Sequence, residues 1–214
     1  MSDNSLQPSG PGRPKDPAKR KAILEAAKTL FLRNGFDGSS MDAIAAEAGV
    51  SKLTVYSHFT DKETLFSAAV KAKCEEQLPE LMFELIDGVP METVLMNIGR
   101  GFHALISSGE SIELHRLLVT LGSQDPTLAK MFFDAGPQRV LHEMEHLLAK
   151  VHASGQLQIS KPLNAAEHFF CLIRGGVNFR LLAGCGEQLS PSEAEEHVQE
   201  VVELFIRAYH PRPD

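Results

Sequence analysis

The chain has 214 residues, of which 43% are hydrophobic and 23% charged, and its formal net charge is −7 at pH 7. Length and composition are typical of a folded protein with one large or two small domains, and no apolar run approaches the roughly 18 residues that span a bilayer. The cysteines at positions 74, 171 and 185 match no metal-binding spacing, so a reducing cytoplasm is the expected location.

Charge is unevenly distributed along the chain. Residues 1–62 carry nine Lys or Arg against seven acids, a net charge of +2, whereas residues 63–214 carry −9. A basic end on an acidic body indicates a surface that meets a polyanion at one end only. Ordinary surface variation explains the difference equally well, so charge alone leaves both interpretations open.

Helical spacing of apolar residues dominates the chain after a Pro-, Gly- and Ser-rich start, which predicts a flexible basic arm at residues 1–16. No segment alternates with period two, so the expected fold is all-α. A three-helix domain is predicted at 17–62 and a larger helical domain at 63–214. Thr60 and Glu63 predict a capping box at the start of the larger domain. Its later helices are predicted at 90–107, 110–121, 126–154 with a kink at Gly136-Pro137, 163–184 and 191–209.

Residues 41–59 have the spacing of a helix-turn-helix. Ala45 is small where two helices must cross, and Gly49 follows at the tight turn, where a positive φ is required. Ser51 is placed to cap the second helix, while Val50 and Val55 point to the core. The outward positions of that second helix are then Lys52, Leu53, Thr54, Tyr56, Ser57 and His58.

The run KAILEAAKTLFLRNGFDGSSMDAIAAEAGVSKLTVYSHFTDKETLF, which ends at Phe66, closely resembles the DNA-binding domain of TetR-family regulators. The run FFDAGPQRVL and the helix at 162–184 look like the AefR-like subgroup of that family. The resemblance implies a DNA-binding transcriptional regulator whose second motif helix enters a major groove.

The resemblance assigns roles to the motif residues. Lys52 is expected to reach guanine, Leu53 a thymine methyl, and Thr54 a base or a phosphate. Tyr56 and His58 are expected to hold phosphates. The same is expected of Ser40 and Lys62, near the starts of two helices, and Ser51 is counted among the DNA-binding residues. In the arm, Arg13 either enters a narrow minor groove or belongs to a solvated tail, and both alternatives stay open.

The resemblance further implies a homodimer that binds an inverted-repeat operator and responds to a small apolar effector among its central helices. The residues expected at the dimer interface are Phe169, Leu172, Gly176, Val198, Val202, Phe205 and Tyr209. The residues expected to line a ligand pocket are Phe102, His103, Phe132, Phe133, Phe170, Arg174 and Asn178. Internal core packing is the alternative for both sets. No cofactor, metal or membrane partner is expected.

One motif competes with this interpretation. Residues 142–152 read HEMEHLLAKVH, in which His142, Glu143 and His146 have the spacing of a zinc-dependent hydrolase. In such sites a third histidine reaches the same zinc ion because a Gly turns the chain sharply. Ala149 stands at the position of that Gly here, so His152 should point away from His142 and His146. The sequence therefore favours a regulator over an enzyme. A third hypothesis is a regulator of the same fold that has lost ligand response and works through a protein partner.

Overall fold

The computed structural model describes residues 16–211, apart from the side chain of Leu121, and this part of the chain contains ten α-helices and no strand. The helices in chain order are α1 (Pro17–Asn34), α2 (Met41–Glu47), α3 (Lys52–His58), α4 (Lys62–Gln77), α5 (Met91–Ser107), α6 (Gly109–Gln124), α7 (Pro126–Ala135), α8 (Pro137–Ala153), α9 (Pro162–Ala183) and α10 (Pro191–Tyr209). A short 3-10 turn, Glu80–Phe83, lies between α4 and α5. The all-α prediction is confirmed. Among residues 16–211, no helix has both the length and the hydropathy needed to cross a bilayer.

The break before α8 and the start of α10 lie where the sequence predicts them, whereas the residue that caps α4 differs from the prediction. Gly136 separates α7 from α8, at the site of the predicted kink. Ser190 and Glu193 form a reciprocal capping box at the start of α10. At α4 the predicted cap is wrong: the side chain of Asp61, rather than Thr60, accepts the hydrogen bond from Thr64 N at 2.7 Å. The helix begins one residue later than predicted, so the Asp61 carboxylate satisfies an unpaired amide of its first turn and also favours the helix dipole.

A buried aromatic cluster organises the N-terminal helices. The rings of Phe31, Phe36 and Phe66 pack against each other with centroids 5.2–5.7 Å apart. The cluster continues into the rest of the chain, because Phe66 on α4 also packs against Phe132 on α7 at 6.1 Å. Helix α4 therefore belongs to the core of the N-terminal helices and to the core beyond them.

The second core is formed by α5, α8, α9 and α10, and it is centred on fully buried Phe169 and Phe205. Helix α9 is interrupted at Gly175, whose φ of +54° is a left-handed value that glycine adopts readily. Nε2 of His197 on α10 donates to the carbonyl of Ile173 at 2.9 Å. Because the backbone at Gly175 is not helical, the Ile173 carbonyl lies where the regular helical hydrogen bonds are interrupted. The His197 imidazole is a hydrogen-bond donor to this carbonyl.

Candidate DNA-reading surface and ligand cavity

Two short helices and one turn build the helix-turn-helix. Ser40 caps α2 and Ser51 caps α3, each through a hydroxyl that accepts from a backbone N–H at 3.1 Å. Gly49 has the predicted positive φ, +66°. Val55 is fully buried and anchors α3 to the core. The helix-turn-helix predicted at residues 41–59 is confirmed.

The outer side of α3 presents a mixed surface, which we name the reading face and define as Lys52, Leu53, Thr54 and Tyr56. Leu53 is 80% exposed and Tyr56 is 44% exposed. The hydroxyls of Thr54 and Ser51 lie 2.8 Å apart, so the Thr54 side chain is oriented by the helix cap. A leucine this exposed contributes nothing to the core of this chain, and here it stands beside an exposed lysine and an exposed tyrosine on one short helix.

Lys52 is paired inside the motif. Its ammonium lies 2.7 Å from Oδ1 of Asp42, in the first turn of α2. The hydrogen bond to Asp42 raises the pKa of Lys52 above its usual value. Lys52 therefore stays charged and is held on the side of α3 that faces α2.

The remaining predicted contacts lie around this face. Lys62 is partly buried: its ammonium donates to the carbonyl of Phe36 at 2.7 Å and lies 4.1 Å from the centre of the Phe36 ring. The His58 ring lies 6.2 Å from that of Phe59. Arg13 is outside the described residues. The structure thus gives Lys62 a role in joining α4 to the turn after α1, which sequence analysis did not foresee.

A cavity of about 300 Å³ lies among α4, α5, α6, α7, α8 and α9. Its walls are mainly apolar, and five of the seven residues predicted for a ligand pocket line it: Phe102, Phe132, Phe133, Phe170 and Arg174. The other lining residues are Val70, Lys73, Cys74, Leu105, Ile106, Ser111, Leu114, His115, Pro137, Val140, Leu141, Glu167 and Cys171.

Two predicted pocket residues lie elsewhere. Asn178 is buried and its side-chain amide donates to the carbonyl of Ile106 at 3.0 Å, so it joins α9 to α5 rather than facing a ligand. His103 packs beside His197, with ring centroids 6.3 Å apart. Burial, and then the neighbouring His197, lowers the pKa of His103. The prediction was wrong for both because helical spacing places a residue on a face without showing what covers it.

Sequence analysis missed several polar groups of the cavity, among them Lys73, His115 and Glu167. Lys73 is nearly buried, and its ammonium lies 2.6 Å from a carboxylate oxygen of Glu110 on α6. Burial lowers the pKa of His115 and raises that of the Cys74 thiol to about 11. Polar residues scattered over three helices, α4, α6 and α9, produce no periodic signal, so only the folded chain brings them together.

Most of the predicted dimer interface is internal core. Phe169, Val198, Val202 and Phe205 are buried within the chain, so they do not face a second copy. Tyr209 is partly covered by Phe205, and its hydroxyl lies 3.0 Å from Nδ1 of His168. Leu172 and Gly176 are exposed, and their place in a dimer interface stays a prediction.

Other apolar side chains occupy the surface of the last two helices. Phe179 on α9 is 72% exposed and Leu204 on α10 is 46% exposed. Neither was predicted, although Phe179 continues the face of Leu172 and Gly176 at helical spacing; Leu204 lies off the apolar stripe of α10.

The histidines of the HEMEH motif lie on the exposed side of α8. A ring nitrogen of His142 is 2.7 Å from the side-chain nitrogen of Gln138. His152 is engaged elsewhere, since its Nδ1 accepts from Ile159 N at 3.3 Å. Within residues 16–211, no three His, Cys, Asp or Glu side chains are grouped so that they could hold a metal ion.

Comparison with protein families gives two matches. Residues 93–211 match the family model described as AefR-like transcriptional repressor, C-terminal domain. Residues 23–69 match the model described as bacterial regulatory proteins, tetR family. The first match covers α5 to α10. The second covers most of α1, the helix-turn-helix of α2 and α3, and the first half of α4.

Individual relatives agree with these matches. The transcriptional repressor AcnR of Corynebacterium diphtheriae is 25% identical over 195 residues, which are 90% of this chain and 94% of AcnR. The uncharacterized regulator YdeS of Bacillus subtilis is 40% identical, but over 68 residues that make up 34% of its length.

Among solved structures, a protein described as a TetR-family transcriptional regulator from Mesorhizobium loti superimposes with a TM-score of 0.76. It is 30% identical in sequence, and the match covers 92% of this chain and 100% of that one. The Flavonoid-responsive Regulator FrrA gives a TM-score of 0.72 at 29% identity, with the same coverage.

Proposed function

Because this chain belongs to the TetR family of transcriptional regulators, we propose that it is a cytoplasmic repressor that binds an inverted-repeat operator as a homodimer. A small, largely apolar effector releases it from DNA. The observation that carries the proposal is the reading face, where an 80% exposed leucine stands beside a lysine and a tyrosine on a helix anchored by Val55. Such a face has no function in packing this chain and fits the major groove.

Each motif residue has a role in this proposal. Lys52 and Leu53 meet base edges, and Thr54 meets a base or a phosphate. The phosphate contacts come from Ser40, Ser51, Tyr56, His58 and Lys62, with Arg13 following the adjacent minor groove. For Lys62 the role requires its ammonium to reach a phosphate oxygen while keeping, or exchanging, its bond to the Phe36 carbonyl.

Effector response is supported by the cavity. A volume of about 300 Å³ bounded by four phenylalanines is within the range of small-molecule sites. A regulator without ligand response would more readily fill this space with side chains, because protein interiors are close-packed. FrrA, whose name states a response to flavonoids, shares the fold and 29% of aligned residues, which further supports a ligand-responsive regulator. Repression itself is supported by the similarity to AcnR.

Dimerisation in this proposal uses the outer surfaces of α9 and α10, where Leu172, Phe179 and Leu204 are exposed. Twofold symmetry then requires two half-sites in inverted orientation, about 34–36 Å apart or somewhat more.

The proposal is tested by selecting bound duplexes from a random DNA library with the full chain. A chelator is added in a parallel selection, and a Tyr56→Ala/Lys62→Ala variant serves as the control. We expect an inverted repeat that persists with the chelator and is lost in the control. Failure of a folded, effector-free sample to enrich any sequence would contradict the proposal. A repeat that disappears on chelation would instead favour a metal-dependent regulator.

A further inference from the structure

We propose that the cavity selects a hydroxylated aromatic effector, whose hydroxyl groups donate to Nε2 of His115 and to Glu167 while Arg174 donates to an oxygen of the same molecule. This inference rests on the proposed function, since it names the chemical class of that regulator's effector. It follows from three properties of the cavity: the shape of its walls, the tautomer of one histidine, and the polar groups that the fold leaves available.

The walls favour a flat, aromatic molecule. Phe102 and Phe170 pack against each other, with ring centroids 4.5 Å apart and planes tilted by 46°, and form one aromatic wall, while Phe132 and Phe133 line the cavity from α7. Aromatic side chains pack well against the faces and edges of other rings. A volume of about 300 Å³ lies at the lower end of the range for small-molecule sites, so it suits one compact molecule.

His115 contributes a hydrogen-bond acceptor. Its Nδ1 lies 2.7 Å from the carbonyl oxygen of Ser111, and since a carbonyl only accepts, Nδ1 carries the proton. Burial, which lowers the pKa of His115, favours the neutral ring, in which Nε2 has a free lone pair. No hydrogen bond to this Nε2 is present within residues 16–211, so a donor on the ligand would satisfy it.

Two charged groups on α9 are also available. Glu167 and Arg174 line the cavity as solvent-exposed residues, and neither makes a hydrogen bond or ion pair with any described residue. Their spacing of seven residues puts them near the same face of the helix. Lys73 differs from them, because its ammonium is already paired with Glu110. The cavity therefore offers acceptors at His115 and Glu167, and a donor at Arg174.

The acceptors at His115 and Glu167 and the donor at Arg174 together favour one class of ligand over others. A carboxylate satisfies Arg174 but brings no donor to His115 and is repelled by Glu167. A cation is attracted by Glu167 but meets Arg174 and Lys73 in the same cavity. A hydroxyl group both donates and accepts, so a hydroxylated aromatic is the class that offers each of these groups a matching partner.

The test uses three probes with one scaffold: a hydroxyflavone, unsubstituted flavone and a flavone carboxylate. Each is titrated into the full chain by calorimetry. We expect the hydroxyflavone to bind about tenfold more tightly than flavone, because it adds hydrogen bonds to the partly buried His115 and to two charged groups. The carboxylate should bind no better than flavone. Equal binding of flavone and hydroxyflavone, tightest binding of the carboxylate, or binding of none of the three would overturn the inference.

Two variants test which residues produce the preference for hydroxyflavone over flavone. His115→Phe keeps a ring beside Phe132, where the two rings now lie 6.4 Å apart, but removes the acceptor. Arg174→Leu removes the donor. The matched control is Arg180→Leu, on the same helix but outside the cavity. We expect the ratio of hydroxyflavone to flavone affinity to fall towards one in the first two variants and to be unchanged in the control. A purely structural role for His115 or Arg174 would weaken both probes equally and leave the ratio intact, which would overturn the assigned contacts.

Failure of this inference is distinguishable from failure of the proposed function. Operator binding is measured on the same samples without any probe. Intact operator binding with no hydroxyl preference would overturn the effector class alone. A clear hydroxyl preference in a protein that binds no DNA sequence would support the effector class and contradict the repressor proposal.

Discussion

The ammonium of Lys52 lies 2.7 Å from Oδ1 and 2.9 Å from Oδ2 of Asp42, so the helix that presents the reading face is tied to the first turn of α2. Both side chains are more than half exposed, and solvent weakens the attraction between them. The pair matters for orientation, because Asp42 holds the one cation of the reading face in a single direction. Asp42 also sets a negative charge close to the expected position of the DNA.

Substitution of this pair should alter sequence preference. In Lys52→Ala, we expect the preference at one base position in each half-site to relax. In Asp42→Asn, the lysine is released and a negative charge is removed near the phosphates, so affinity for random duplex should rise while preference for the operator falls. Binding of operator and shuffled duplexes at two salt concentrations measures both effects. An unchanged preference in Lys52→Ala would reassign that residue to the DNA backbone.

Lys62→Ala should affect stability and DNA binding together. The substitution removes the hydrogen bond to the Phe36 carbonyl and the contact with its ring, and we expect a loss of about 1–2 kcal/mol in the free energy of unfolding. Affinity for all DNA sequences should fall by a similar factor, since phosphate contacts carry no base information. Denaturant unfolding and duplex titration provide the measurements, with Lys161→Ala as a control for lost charge. Unchanged DNA affinity at moderate salt would leave Lys62 with a structural role only.

Phe179→Glu should separate the dimer. This ring is 72% exposed on α9, and a charge there should oppose burial against a second copy. We expect a shift towards monomer in sedimentation velocity and a loss of operator binding, because a single helix-turn-helix contacts few phosphates. Leu81→Glu is the control, since that leucine is 79% exposed on the 3-10 turn, away from α9 and α10. Equal effects of the two substitutions, or none from Phe179→Glu, would contradict the proposed interface.

The three cysteines should differ in the rate at which iodoacetamide alkylates them. Burial raises the pKa of Cys74 from 9.0 to about 11, so its reactive thiolate is scarce at pH 8 and becomes common only as the pH approaches 11. Cys171 and Cys185 are exposed and should react first. Since Cys171 lines the cavity and Cys185 does not, bound hydroxyflavone should protect Cys171 and leave Cys185 reactive. Peptide mass spectrometry after timed iodoacetamide treatment measures each site. Rapid labelling of Cys74 at pH 8, or equal protection of the two exposed thiols, would be the contrary result.

The sequence was most informative where local rules determine structure. Gly49, Ser51 and Val55 each have one conformational or packing requirement in a helix-turn-helix, so their spacing predicted the motif and its outward side chains. The break at Gly136-Pro137 was predictable for the same reason. The α4 cap was not, because Thr60 and Asp61 both satisfy the capping rule and only the folded backbone decides between them.

Tertiary burial was harder to predict. An apolar stripe such as Val198, Val202 and Phe205 must be covered, but its period does not reveal whether this chain or a second copy covers it. The structure buries it inside the chain. His115 was missed for a related reason: its acceptor atom has meaning only beside the Ser111 carbonyl and the side chains of α9.

Helix α4 connects the helix-turn-helix to the wall of the cavity. It carries Phe66 in the aromatic cluster under the DNA motif, and Val70, Lys73 and Cys74 on the cavity wall. At a rise of about 1.5 Å per residue, the stretch from Lys62 to Cys74 spans about 18 Å, so a tilt of about 10° at the cavity end carries the other end about 3 Å, roughly one base-pair step. In the proposed homodimer, the same tilt in both subunits would change the spacing between the two helix-turn-helix motifs by up to twice that distance. A change of that size would put one motif out of phase with its groove.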